Sequence, residues 1–168
     1  MTEQKSYTFT ASTLPKNLSE LKILPEAALD SPFKTAALTV AALCVYSYDA
    51  EAGKEMLYFL KGPAPLSNYE ISFINDRFRD SKKVPFSYFD GARPENDYTP
   101  STPYRLTITA NPYSFPQEGR ATLCLTSAGA DSPRQIKLRL KPSEGKWYLE
   151  EQMILVGIRP PVSEDPWA

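Results

Sequence analysis

One stretch in the first half of the chain limits the possible folds most. The sequence "PFKTAALTVAALCVY", residues 32–46, is apolar on nearly every side when it is wound into a helix. Ser31 is placed to cap this helix, and Pro32 falls at its first position, where the missing N–H is harmless. Because a helix that is apolar all round is a buried one, the rest of the chain must cover it.

Two other helices are expected before and after this one. Asn17 is a possible N-cap for a short helix over residues 17–24, which Pro25 ends. Asp49 is placed to cap "AEAGKEMLYFLK", which Gly62 ends.

The strongest local signal is "PLSNYEISFINDRF". Ser67 and Glu70 have the spacing of a capping box, and Leu66 and Ile71 that of a hydrophobic staple. The spacing predicts a helix over residues 68–80.

The second half of the chain predicts strands. "YRLTITA", "RATLCLTS", "RQIKLRLK" and "KWYLEEQ" alternate apolar and polar residues, and a further apolar piece, "MILVGI", follows. In the third of these, Ile136, Leu138 and Leu140 should face inward. Alternation with short turns predicts an antiparallel meander with one wet face. The fold class is therefore α+β, with N-terminal helices on one face of a C-terminal four- to five-stranded antiparallel meander.

The length of 168 residues fits one domain. Residues 1–15 are expected to be a polar arm, with a short extended piece at residues 7–10. Residues 16–158 form the domain, with helices in 17–80, a loop over 81–103 and strands in 104–158. Residues 159–168 are a proline-rich tail.

The loop over residues 81–103 combines aromatic residues and prolines with a few charges, and no regular element is expected in it. Such a loop is typical of a recognition surface. The alternative is that its aromatic rings pack into the core and hold the loop in place. The candidate binding residues, which include one from the tail, are Phe86, Tyr88, Phe89, Asp90, Arg93, Tyr98, Tyr104 and Trp167.

The tail, "GIRPPVSEDPWA", places a tryptophan beyond three prolines. Prolines stiffen an extended segment. We expect the ring of Trp167 to dock against the domain beside the aromatic loop, and the alternative is a free motif that a partner reads.

The residue types exclude common chemistries. The chain has no histidine, so a Ser-His-Asp or Cys-His arrangement cannot exist, and the commonest zinc ligand is missing. We find no CxxC pair and no glycine-rich phosphate loop. No catalytic residue, cofactor or metal site is therefore predicted. The adjacent acids Glu150 and Glu151 should not converge, since neighbouring residues of a strand point to opposite faces.

The outer face of the predicted sheet carries a cationic strip. Single-stranded nucleic acid can bind a basic face with aromatic residues, but the net charge is −1, and nearby acids such as Glu144 and Glu150 favour cross-strand ion pairs. Nucleic-acid binding is therefore not expected. The strip consists of Arg105, Lys137, Arg139, Lys141 and Lys146, with Tyr148 among them.

The start of the chain lacks a secretory signal, and its longest apolar run is too short to span a bilayer. Two cysteines far apart suit a reducing compartment. These features predict a soluble, cytoplasmic protein without a membrane partner.

Several long stretches resemble a bacterial family described as a domain of unknown function. They include "SPFKTAALTVAALC", "EMLYFLKGPAPLS", "SYFDGARPENDYTPSTPY", "GADSPRQIKLRLKPSEGKWYLEEQ" and "IRPPVSEDPWA". The resemblance runs from about Leu14 to the end, and it implies that the loop and the tail belong to the domain. The helices followed by a curved sheet are also similar to cystatin-like and NTF2-like folds, which often enclose a pocket between helix and sheet.

We expect a non-enzymatic binding or protein-interaction module that uses the aromatic loop and the tail to hold a protein or small-molecule partner. The alternative is an unusual His-free enzyme, or a small-ligand-binding protein with a pocket between helices and sheet.

Overall fold

A computed structural model describes residues 5–168 of the chain. Within that range the structure contains four α-helices and five strands. The strands form a single sheet, and the helices lie on one of its faces. The helices are α1 (Leu18–Ile23), α2 (Pro32–Tyr46), α3 (Ala50–Lys61) and α4 (Asn68–Phe78). The strands are β1 (Ser6–Ala11), β2 (Tyr104–Thr109), β3 (Arg120–Leu125), β4 (Arg134–Lys141) and β5 (Lys146–Gln152). Short 3-10 helices lie at Pro25–Ala28, Val84–Tyr88, Pro94–Asn96 and Val162–Glu164.

The helix α2 is the centre of the molecule. Every residue in it except Lys34 is buried, as the all-apolar pattern predicts. The Ser31 side chain accepts a hydrogen bond from the backbone N–H of Phe33, so the predicted N-cap is confirmed. All five strands contact α2, and α3 packs along it. The α2 helix therefore joins the sheet to the other helices.

The sheet is an antiparallel meander in the order β1-β2-β3-β4-β5. The predicted register in β4 is confirmed for its central residues, since Ile136 and Leu138 are fully buried, and Leu140 is half-buried. Each fully buried aliphatic side chain stabilises the fold by about 1.5–3 kcal/mol. The α+β class with helices on one face of the meander is confirmed.

The fifth strand is not the predicted one. Residues 6–11, expected to be part of a polar arm with a short extended piece at residues 7–10, form β1 and pair with β2, and Phe9 of β1 is fully buried opposite Leu106. The sequence of β1 gives little local indication of a strand, because β1 is short and its partner strand begins only at Tyr104. Tertiary packing decides such a pairing. Residues 1–4 of the expected arm lie outside the described residues.

The apolar piece at residues 153–158 is a turn, so the strand prediction there is wrong. Gly157 has a positive φ of 66°, which an extended strand does not allow. The guanidinium of Arg134 donates hydrogen bonds to the carbonyl oxygens of Val156 and Gly157, at 2.7 and 3.0 Å. These bonds replace the sheet bonds that a sixth strand would have made.

The helix α4 begins as predicted and is only lightly buried. The capping box between Ser67 and Glu70 is present, and the helix ends at Phe78, two residues before the predicted end. Its buried residues are Ile74 and Phe78. The α4 helix therefore flanks the core and does not fill it.

Within residues 5–168, no helix is both long enough and apolar enough to cross a membrane.

We predict that Leu138→Asp unfolds or severely destabilises the domain, because it places an unpaired charge in the core. The expected loss is more than about 4 kcal/mol of unfolding free energy. The matched control is Gln135→Asp, on the exposed face of the same strand, which should cost less than about 0.5 kcal/mol. Urea denaturation followed by circular dichroism measures both, and equal midpoints would refute the register.

Candidate functional site

Most rings of the aromatic loop are buried. Tyr88, Phe89 and Tyr98 are 4%, 2% and 1% exposed, so they pack into the molecule and present no surface. The rings of Phe86 and Tyr104 are half-buried and line a shallow cleft of about 430 Å³ that they share with Leu14 and Tyr48 on the other wall. Asp90 and Arg93 are exposed.

The buried tyrosines hold the C-terminal segment. The Tyr88 hydroxyl donates to the carbonyl oxygen of Ile154 at 2.5 Å, and the Tyr98 hydroxyl donates to that of Arg159 at 2.6 Å. Burial raises the pKa of both hydroxyls. Because both hydroxyls stay protonated at pH values above the usual pKa of tyrosine, both remain hydrogen-bond donors up to strongly alkaline pH.

The first part of the tail lies along the loop. The backbone N–H of Arg159 donates to the carbonyl oxygen of Gly129 at 2.9 Å. Further along, Ser163 donates to Asp97, and the Lys83 ammonium lies 3.7 Å from the Glu164 carboxylate. These contacts fix the chain as far as residue 164.

Trp167 does not dock, and our expectation for this ring is wrong. Its side chain is 93% exposed. The backbone N–H of Trp167 donates to the Asp165 carboxylate at 2.8 Å, in a turn that keeps the ring off the domain. The structure therefore separates Trp167 from the loop residues with which it was grouped. We call residues 166–168 the tail tip.

The cationic strip is interrupted by acids. Lys137 lies 3.8 Å from Glu151, and Lys141 lies 3.3 Å from Glu144. The Tyr148 hydroxyl also donates to Glu144, at 2.7 Å. The outer face of the sheet thus carries one cross-strand ion pair, Lys137 with Glu151, and one local pair at the β4–β5 turn, Lys141 with Glu144, rather than an unbroken basic surface.

A concave surface lies between α4 and β5, and we call it the α4 cleft. It encloses about 620 Å³. Its apolar lining comes from both walls and includes Leu57, Leu66, Phe73, Ile74 and Leu149.

Two large side chains at the rim of the α4 cleft are open to solvent. Tyr69 of α4 is 79% exposed, and Met153 after β5 is 40% exposed. Exposed large apolar side chains beside an apolar lining are typical of interaction sites.

The charged lining of the α4 cleft depends on a β-bulge. The pairing shifts between Lys137, opposite Glu151, and Leu138, opposite Leu149, which leaves Glu150 as an extra residue on β5. Both Glu150 and Glu151 consequently line the cleft. The strict alternation assumed for these two acids does not hold here, because a bulge breaks the alternation of side chains.

Opposite charges pair across the α4 cleft. Arg120 forms an ion pair with Glu150. The ammonium of Lys61, only 6% exposed, lies 2.9 Å from the Glu70 carboxylate and also donates to the carbonyl oxygen of Glu150, at 3.1 Å. With the pair of Lys137 and Glu151, two ion pairs lie in the lining, and its third acid, Glu70, is paired with Lys61 behind the lining.

The acids and thiols of the described range do not form a metal centre. No group of three or more Cys, Asp and Glu residues within residues 5–168 is arranged to hold an ion. In the α4 cleft each carboxylate faces a cation.

A comparison with protein-family models identifies the family of this chain. A model described as a domain of unknown function, DUF6935, matches residues 13–162. The chain belongs to the DUF6935 family. The matched segment includes the aromatic loop and both walls of the α4 cleft, and it ends before the tail tip of this DUF6935 domain.

No curated protein and no solved structure matches the chain. The likeness to cystatin-like and NTF2-like folds therefore stays an analogy of architecture and carries no function.

We predict that removal of the tail tip leaves stability unchanged, because the Trp167 ring makes no buried contact. A chain ending at Asp165 should melt within about 1–2 °C of the full chain. A chain ending at Ile158 loses the contacts to Tyr98, Gly129 and Lys83, and it should melt at least about 5 °C lower. Differential scanning calorimetry compares the three, and a clear drop on removing residues 166–168 alone would contradict the exposed placement of Trp167.

Proposed function

We propose that this DUF6935 domain is a non-enzymatic interaction module that binds an extended protein segment, with an apolar anchor, in the α4 cleft. The observation that carries the proposal is the apolar lining of the cleft beside the outer edge of β5. Since β5 is the last strand of the sheet, no strand covers the cleft at that edge, although Leu29, Thr35 and Lys61 already bond to backbone groups of Trp147 and Glu150 there. A partner segment therefore binds mainly by filling the apolar pocket with a side chain, which is a known element of peptide recognition.

The shape of the surface favours an extended partner. A second groove of about 510 Å³ lies between the α3–α4 connection and the β4–β5 hairpin. It shares Leu149 and Glu150 with the α4 cleft. The two concavities follow the chain from Tyr148 to Met153, six residues, or about 20 Å of extended strand.

The polar groups give the site selectivity more than affinity. Each carboxylate of the lining is paired with a cation, so the site does not attract a strongly charged partner over a long distance. Ion pairs at the rim can exchange partners with a bound segment at small cost, since exposed pairs contribute about 0–1 kcal/mol. The apolar anchor is therefore the main source of affinity.

The aromatic loop has a supporting role in this proposal. Tyr88 and Tyr98 hold the C-terminal segment by their hydroxyls. Among the candidate residues of the sequence, Trp167 remains as an exposed group that can meet a partner.

A small molecule in the α4 cleft is the second candidate. The volume of about 620 Å³ lies in the range of small-ligand sites. The open rim with Tyr69 and Met153 favours the protein segment, because small-ligand sites enclose most of the ligand.

We predict that the α4 cleft binds the apolar dye anilinonaphthalene sulfonate in the folded state, and that Tyr69→Ala weakens this binding at least about threefold, since the ring forms part of the rim. Fluorescence titration at low micromolar protein measures the dissociation constants.

The control is Tyr113→Ala. Tyr113 is equally exposed, at 85%, and lies outside the cleft, so the dye should bind this variant as it binds the unchanged protein. Equal binding by both variants, or no dye binding at all, would refute the α4 cleft as the site.

A further inference from the structure

We propose that the segment bound by the α4 cleft is the tail tip of a second copy of this chain. This inference rests on the proposed function and names its partner. It joins two surfaces that the single copy leaves open, the apolar cleft and the exposed ring of Trp167.

The tail tip exposes the ring of Trp167 to solvent. Contacts at Arg159, Ser163 and Glu164 fix the segment before it, and the turn at Asp165 orients the last residues. Trp167 thus follows a segment of fixed backbone, and its side chain is 93% exposed. Because the preceding backbone is already fixed, the segment loses little backbone freedom on binding, and tryptophan is among the residues that most often dominate interfaces.

A copy cannot fill its own cleft in this arrangement. The residues that hold the tail, among them Lys83, Asp97 and Gly129, are absent from the lining of the α4 cleft. Beyond Asp165 two residues span about 7 Å at most, and the exposure of the ring shows that it does not reach an apolar surface of its own copy. The ring must therefore meet a cleft on another molecule.

The chemistry of the two surfaces matches. Pro166, Trp167 and Ala168 carry no side-chain charge, and the α4 cleft has an apolar lining of aliphatic residues with the rings of Phe73 and Tyr69. Its volume of about 620 Å³ exceeds that of a single indole side chain, which leaves room for the adjacent proline.

A mutual exchange of tail tips would give a closed assembly. If two copies exchange tail tips, each ring enters the cleft of the other copy, and the two identical contacts close a twofold dimer. A contact of this size belongs to the weak, transient class of interfaces.

The experiment is sedimentation equilibrium over a concentration series. The unchanged protein should self-associate reversibly. Trp167→Ala and Tyr69→Ala should each weaken the association at least about tenfold, whereas Tyr113→Ala should not change it. Because Trp167 and Tyr69 are exposed, neither substitution should disturb folding, and circular dichroism checks this.

A mixture of the two variants tests the pairing itself. Trp167→Ala keeps an intact cleft, and Tyr69→Ala keeps an intact tail tip. The mixture should therefore form a heterodimer through a single contact, at concentrations where each variant alone is a monomer.

A synthetic peptide of residues 159–168, acetylated and amidated, tests the contact without self-association. It should shift the amide resonances of residues 69–74 and 149–153 in the Trp167→Ala protein, and a peptide with alanine in place of Trp167 should not.

Two results would overturn the inference. The first is an unchanged protein that stays monomeric up to its solubility limit together with a peptide that does not bind, and the second is self-association that Trp167→Ala leaves intact. If either occurs while Tyr69→Ala still loses the dye, the α4 cleft remains a binding site for another segment and only the identity of the segment is wrong. If the self-association or peptide result fails and Tyr69→Ala also leaves dye binding unchanged, the proposed function is refuted as well.

Discussion

The burial of α2 on every side is the constraint on which the structure depends. A helix with apolar residues all round has no face that tolerates water, and a fold that contains it must surround it. The sheet covers one side of α2, α3 covers another, and the 3-10 helices Pro25–Ala28 and Val84–Tyr88 close the remaining gaps. The aromatic loop is thus part of the cover, and the burial of Tyr88 and Phe89 follows from that role.

The position of α4 follows from the same constraint. Since other elements already surround α2, α4 packs at the side, where Ile74 and Phe78 are buried against the core and two further contacts lie towards its ends. The rings of Phe78 and Tyr46 meet with centroids 5.7 Å apart, and the buried ammonium of Lys61 bridges Glu70 to β5. A buried ammonium without partners would be costly, so Lys61 depends on this bridge. The space that remains between these two attachments and β5 is the α4 cleft.

Features with a local signal were predictable from the sequence. The helix α2, the capping box at Ser67 and the alternation in β4 all depend on residues close together in the chain. The strand β1 was not predictable in the same way, because its pairing with β2 crosses the whole helical region. The α4 cleft depends on the bulge at Glu150, which alternating residues do not reveal. The exposure of Trp167 depends on a two-residue turn, whereas composition alone favoured burial of so large an apolar ring.

The central claim is that a rigid core around α2 carries a separately attached α4, and that this attachment creates the α4 cleft. Native-state hydrogen exchange tests the claim directly, because it measures the free energy of opening for each amide. The account predicts that amides in α2 and β4 exchange through global unfolding, and that those in α4 open at a free energy lower by at least about 2 kcal/mol. Amides in α4 that are protected as strongly as those in α2 would contradict the account.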